Sequence, residues 1–394
     1  MTPLSLADKL DRNNAPKRIL SLDGGGIRGA ISLGFLEGIE TTLRKRHNND
    51  PKFRLSDYFD LIGGTSTGAI IAACLSLGMS VQEIKGHYKE FGSKIFGSKR
   101  KWYKPWHWCN LVKGYCYNEV PLKNELEKLF KDIKIGDLDL YKTNLCIIAK
   151  KIDTYSTWLI NNNSKGKYFK DNEHILLADA IRASTAAPAY FAPQKINVKK
   201  RNIKDGNILE DSIGVFIDGG VTLHNNPSFQ LLLFATLSDY YLNWNYGEDK
   251  LLIVSVGTGS NKKNVSSTKV ESKTLGFWAK EIPNTLMEDA QYFNQMLLQL
   301  LSNSPTATPI NRELGDLRND YLEGKKHISY LRYNVRIEKD QLLDLGYKES
   351  EIPETWLESM RKMDNGQNCE KLLELGEIAS SKIDYEKDFD SKFD

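Results

Sequence analysis

The chain has 394 residues, 40% hydrophobic and 27% charged, which puts it with ordinary globular proteins and outside disordered or fibrous classes. That length supports a large core, in one big α/β domain or two smaller ones. The 54 basic and 51 acidic side chains nearly cancel, so net charge calls for no nucleic-acid polymer as partner.

Residues 1–16 are polar and lack an apolar h-region, so no signal peptide is expected. The longest uncharged apolar run, near 68–79, is too short to span a bilayer. Cys74, Cys109, Cys116, Cys146 and Cys369 are odd in number and form no framework, which points to reduced thiols and a cytoplasmic setting. The spacing of His107, Cys109 and Cys116 is a poor zinc signature, and no metal is expected.

Residues 18–23 read as a short apolar strand running into Gly24-Gly25-Gly26-Ile27-Arg28-Gly29. A helix over 30–46 follows, with Ile31, Phe35, Ile39 and Leu43 on one face. Gly24, Gly26 and Gly29 fit a dinucleotide-binding fingerprint. That fingerprint also needs an acidic residue ending a second strand about 20 residues on. The polar stretch 48–51 stands there instead. The other use of three consecutive glycines is an oxyanion hole, because backbone N–H groups can approach a substrate oxygen unobstructed.

The stretch 59–73 reads as buried strand, tight turn and small-residue helix, with Ser66 at the turn between Gly64 and Gly68. This Gly-x-Ser-x-Gly pattern is that of a nucleophile elbow, where absent side chains let the chain bend sharply and the serine hydroxyl project. The alternative is an ordinary βα loop in which Ser66 caps the helix.

A helix is expected over 81–92. Residues 97–108 then mix five aromatic rings with four cations. This opens 97–117 to several readings: a solvated loop, a lid, a membrane-surface contact or a phosphate-ligand contact. Residues 118–131 read as helix, 143–153 and 157–161 as core strands, and 176–184 as a helix ending in a small-residue stretch where Ser184 and Thr185 serve packing. A strand over 215–221 delivers Asp218, followed by Gly219 and Gly220. A helix runs from Asn225-Asn226-Pro227 to about 240. The strand 251–256 ends in Gly257-Thr258-Gly259-Ser260, a turn rather than a phosphate loop because the P-loop lysine is missing. Residues 278–301 read as a long helix and 328–337 as a half-buried strand. Two or three helices follow from 340, and 384–394 is expected to be frayed or weakly docked.

Three features thus stand at three strand ends: a glycine loop, an elbow serine and Asp218. In that order they describe acyl transfer to a serine. The set resembles the patatin-like phospholipase family, whose three motifs are matched by residues 23–29, Gly64-Thr65-Ser66-Thr67-Gly68 and Asp218-Gly219-Gly220. Residues 183–191 and 255–259 are similar to the family too, and the resemblance covers about 15–340. It implies an α/β fold, three-layered α/β/α with a central, mostly parallel sheet, and leaves 341–394 as a helical extension packed on the same domain. It implies Ser66 as nucleophile, Asp218 as base, and the N–H groups of Gly24, Gly25 and Gly26 as oxyanion hole. Arg28, Gly29, Gly64, Gly68 and Gly219 would support the loops. No metal or cofactor is implied. The implied activity is hydrolysis of phospholipid or neutral-lipid acyl esters by a cytoplasmic enzyme that meets the inner membrane surface transiently. Within the family the chain looks most like bacterial cytosolic members, some of which are anti-phage effectors switched on by cyclic nucleotides, so a cyclic dinucleotide is the implied activator.

Other readings stay open at this level. A carboxylate is a weak base, with an unperturbed pKa of about 3.9, and His174, His224 and His327 are available instead. An unregulated cytosolic lipid esterase, a non-hydrolytic dinucleotide-binding module built on 24–29, and a catalytically dead scaffold are the rivals in function.

Overall fold

The computed structural model describes residues 4–14, 16–96, 115–201, 208–261 and 275–394. Among the described residues nine strands make one mixed sheet: β1 Lys17–Leu22, β2 Leu61–Thr65, β3 Asn144–Lys151, β4 Ser156–Asn161, β5 Gln194–Arg201, β6 Ile208–Asp218, β7 Leu251–Val256, β8 Ser302–Asn303 and β9 Ile328–Tyr333. Their order is β5-β6-β3-β2-β1-β7-β9-β8, with β4 paired to β3. The run from β3 to β8 is parallel. The pairings of β4, β5 and β6 are antiparallel.

Alternation along the strands builds two cores. Leu20, Leu22, Ile147, Val254 and Leu331 point to one face, where the helices Gly29–Arg46, Thr67–Ser76 and Cys369–Ser381 cover them. Ile19, Ile148, Ile253 and Tyr330 point to the other, under the helix Ser228–Thr236 and Leu298 of the helix Leu275–Leu301. This is the three-layer α/β/α arrangement. Parallel strands buried on both faces read as unbroken apolar runs, which is why β1, β2 and β7 stand out in the sequence.

Several expectations need correction. The strand at 328–337 stops at Tyr333, and all six of its residues are buried rather than half of them. Its polar position, Arg332, lies inside because Asp23 neutralises it through two hydrogen bonds of 3.0 and 2.6 Å. The strand at 215–221 is the end of β6, which stops at Asp218 and begins at Ile208, and its hairpin partner β5 has no counterpart in the sequence reading. The last residues are docked, not frayed: Phe389 and Phe393 are each 1% exposed, and Arg46 pairs with Glu386 and Asp394. Two fully buried phenylalanines contribute roughly 1.5–3 kcal/mol each, more than a frayed end provides. The helix Cys369–Ser381 lies so close on Gly29–Arg46 that a Cβ at Gly34 would meet the Gly376 backbone. No helix among the described residues is long and apolar enough to cross a membrane.

Candidate active site

The carboxyl ends of β1, β2 and β7 lead into the glycine loop, the elbow and the Gly257 turn, where open parallel sheets place their ligands. At the elbow, Ser66 is half-buried with φ 56° and ψ −122°, a conformation L-residues avoid. Such a residue costs on the order of 1–3 kcal/mol and persists only when its surroundings fix it. Its side chain makes no capping hydrogen bond to the helix Thr67–Ser76, so the plain N-cap reading does not describe it. Gly68 is required by close approach: a Cβ there would sit 2.7 Å from the Asp23 carbonyl oxygen and nearer still to that of Leu22. Gly64 faces Gly68 in the same way. Gly68→Ala should therefore lower stability by roughly 1–3 kcal/mol, seen as a reduced midpoint in denaturant unfolding.

Register brings Asp218 to this elbow. On β3, Ile148 pairs with Thr65 of β2, and the next residue, Ala149, pairs with Asp218 of β6. Since β4 occupies the other edge of β3 over 146–151, β2 and β6 run end to end along one edge and meet at Ser66 and Asp218. The Ser66 side chain lies near enough to the Asp218 carboxyl to favour its ionised form. The Gly220 N–H donates to Asp218 Oδ1 at 2.7 Å. Asp218 is 4% exposed. Burial pushes its pKa up to about 6, against the opposing pull of the Gly220 N–H, Ser66 and the Arg182 guanidinium. A carboxylate in that range is a far better proton acceptor near neutrality than a free one.

The glycine loop lies against the serine, since a Cβ on Gly24 would be 3.3 Å from Ser66 Cβ. One expectation fails here. Gly24 gives its N–H to the Asn225 carbonyl at 2.9 Å, so it has no donor left for an oxyanion. Among the described residues the N–H groups of Gly25 and Gly26 carry no such bond. Gly26 has φ +59°, and a Cβ there would strike the Met363 carbonyl. The loop is clamped by Thr258 Oγ1 on Gly24 O and by Tyr88 OH on Gly26 O, both at 2.8 Å. Ile27 N–H donates to Met363 O at 2.9 Å. Arg28 is buried and reaches the Arg361 carbonyl at 3.5 Å; burial lowers its pKa to about 10, which leaves it charged. Gly29 and Gly219 sit at further tight contacts, against Thr67 and the Ile148 carbonyl.

The family model for patatin-like phospholipase matches residues 20–232, which hold the glycine loop, the elbow and Asp218. The chain belongs to the patatin-like phospholipase family. It is a lipid ester hydrolase. A cGAMP-activated phospholipase of Escherichia coli is 29% identical over 296 residues, covering 72% of this chain and 76% of that protein. A protein of the same name from Vibrio cholerae is 29% identical, covering 66% of this chain and 70% of its own. Patatin-like protein 4 of Arabidopsis thaliana is 30% identical, covering 68% of each.

In this patatin-like fold two of the three candidate histidines make other polar contacts, and the third lies far from Ser66. His224 Nε2 lies 3.1 Å from Thr157 Oγ1, and burial lowers its pKa to about 4. His174 Nε2 contacts the Asn197 carbonyl at 2.9 Å. His327 precedes β9, at the opposite end of the sheet from Ser66. The dinucleotide reading also fails. The loop's N–H groups at Ile27 and Arg28 are given to the Met363 and Gly25 carbonyls, and β2 ends in the elbow instead of an acidic residue. Gly257 to Gly259 is the turn expected, with Thr258 turned to the glycine loop. No cluster of three or more metal-ligating side chains occurs among the described residues. Most of the 97–117 segment, residues 97–114, lies outside them. Tyr117 is stacked on Tyr190, and its hydroxyl donates to Asp364 at 2.8 Å.

The sequence reading missed Tyr88, Asn225, Thr258 and Arg332, and took Ser184 as packing. Ser184 Oγ accepts the Ser66 N–H at 2.8 Å. A buried polar residue inside an apolar run was the available signal for Arg332; the others carry none.

Proposed function

We propose that Ser66 attacks the acyl carbonyl of a membrane phospholipid while Asp218 takes the hydroxyl proton. The N–H groups of Gly25 and Gly26, aided by the N-terminal end of the helix Thr67–Ser76, receive the oxyanion. The tetrahedral intermediate collapses to an acyl-serine, and the proton on Asp218 goes to the leaving alcohol. Water, deprotonated by Asp218, then releases the fatty acid and restores Ser66. The observation that carries this reading is the register that brings buried Asp218 beside the strained elbow of Ser66. A histidine is not needed, because burial itself brings the carboxylate into the working range. The hydrolase domain is read as 15–340, with 341–394 packed on it. That extension supplies the Met363 carbonyl that holds the glycine loop.

Activation by a cyclic dinucleotide completes the reading, supported by the two cGAMP-activated relatives, which match over two thirds or more of their own length. A cytoplasmic enzyme working on the inner membrane surface as an antiviral effector follows from it, since messenger and phospholipid meet there. Purified protein is mixed with phospholipid vesicles, alone and with a panel of cyclic dinucleotides, and fatty-acid release is measured. Release that requires one nucleotide is the expected result. Equal release without any nucleotide would leave an unregulated lipid esterase, and no release in any mixture would overturn the phospholipase reading.

A further inference from the structure

The turn that follows the helix Leu177–Ser184 touches both members of the Ser66–Asp218 pair. Ser184 is fully buried, and its hydroxyl oxygen accepts the Ser66 N–H at 2.8 Å while donating to the Ile148 carbonyl at 2.6 Å. Two residues on, the Ala186 carbonyl accepts the Asp218 N–H at 3.0 Å. Ile148 is the β3 residue paired with Thr65, one step before Ala149, which pairs with Asp218. One short turn therefore grips the backbone of the elbow serine, the backbone of the aspartate and the strand that spans the gap between them. The turn is itself rigid. The Thr185 N–H closes on the Ile181 carbonyl at 2.9 Å, and the Thr185 hydroxyl donates to the Arg182 carbonyl at 3.2 Å.

We infer that 184–186 is a spacer that sets the separation of Ser66 and Asp218, with Ser184 as a positioning residue for ester cleavage. This rests on the reading of Ser66 and Asp218 as the reacting pair. The physical argument concerns the strained elbow. β2 ends at Thr65, and at φ 56° and ψ −122° the next residue, Ser66, gives its N–H to Ser184 Oγ. Without Ser184 Oγ that part-buried donor would lose its partner, and the elbow would be free to relax. The same bond removes the Ser66 N–H from the oxyanion site and leaves that task to Gly25 and Gly26. A relaxed elbow keeps substrate binding but moves the Ser66 hydroxyl away from the Asp218 carboxyl. A displacement of about 1 Å in a reacting pair costs about 100-fold.

The test uses the full chain under whatever condition gives maximal fatty-acid release. Ser184→Ala is expected to lower kcat roughly 10- to 100-fold with KM changed by less than about two-fold. Its acid limb should move to higher pH, because the Ser66 hydroxyl that favours the Asp218 carboxylate is loosened; a mere loss of packing would not move the limb. Ser184→Thr and Ser184→Val, nearly equal in volume, separate hydroxyl from packing: Thr should retain at least about ten times the kcat of Val. Wild-type kcat and pH profile in Ser184→Ala, or equal impairment in Thr and Val, would overturn the inference. Activity surviving in Ser66→Ala would instead remove the pair itself. An inactive Ser66→Ala beside a fully active Ser184→Ala would remove only the spacer.

Discussion

Ser66→Ala should reduce fatty-acid release by roughly 10⁴-fold or more while the protein stays folded. The hydroxyl is the atom that bonds to the acyl carbon, and no neighbouring group replaces it: Ser184 Oγ is turned to the Ile148 carbonyl and Thr65 Oγ1 to the His224 carbonyl at 2.6 Å. The fold loses little. Alanine keeps the N–H that Ser184 holds, and Asp218 keeps the Gly220 N–H. Far-UV circular dichroism and the denaturant midpoint check the fold in the same samples that are assayed for release.

Asp218→Asn should abolish nearly all activity and yet stabilise the protein. The amide oxygen still accepts the Gly220 N–H, but the group no longer takes a proton, so a loss of roughly 10² to 10⁴ in kcat follows. Stability moves the other way for a reason of linkage. Asp218 has its pKa raised by burial from 3.8 to about 6 in the folded chain. Its contribution favours the fold fully at pH below about 4 and is lost as pH rises through about 6. At pH 7.5 the ionised, buried carboxylate costs at most about 3 kcal/mol, which asparagine avoids. Unfolding at pH 7.5 should show the variant more stable than wild type, and the gap should close at pH 4. The same group gives wild-type kcat/KM an ascending limb near pH 6, where Asp218 becomes the base. A variant that unfolds more easily at pH 7.5, or a limb placed below pH 4, would mean the carboxylate is not strained by burial. Here activity and stability oppose each other at one residue, as is common where a site holds a charge that the fold disfavours.

The elbow and the glycine loop are legible in the sequence because their geometry is local. The end of β1 leaves no room for a Cβ at Gly68, and the Gly68 backbone leaves none at Gly64, so that constraint is written within five residues of Ser66. Asp218 is legible as a strand-end carboxylate, but its meeting with Ser66 is not. That depends on β2 and β6 both pairing with one edge of β3, which brings together residues far apart in the chain. The parallel strands are legible as apolar runs. The β5–β6 hairpin is not, since Lys195, Lys199 and Lys200 break its apolar pattern.

Contacts made by backbone carbonyls leave no trace in residue identity. Asn225 O takes the Gly24 N–H, and Met363 O takes that of Ile27; any residue offers a carbonyl. This is why Gly24 looks like an oxyanion donor in the sequence and is none in the fold. Ser184 looks like a small residue at a helix end because its role lies in which backbone N–H its hydroxyl meets, 118 positions away. Arg332 shows the reverse case. Its charge inside a strand predicts a water-facing position, and only the partner Asp23 explains its burial.

The most direct test of the account is covalent trapping. A long-chain alkyl fluorophosphonate forms a phosphorus–oxygen bond to an activated serine with loss of fluoride, and peptide mass spectrometry locates the adduct. The account predicts one adduct, on Ser66, formed in step with loss of fatty-acid release and slowed about 100-fold or more in Asp218→Asn. An adduct on another residue, or lipid hydrolysis that persists when Ser66 is fully labelled, would contradict it.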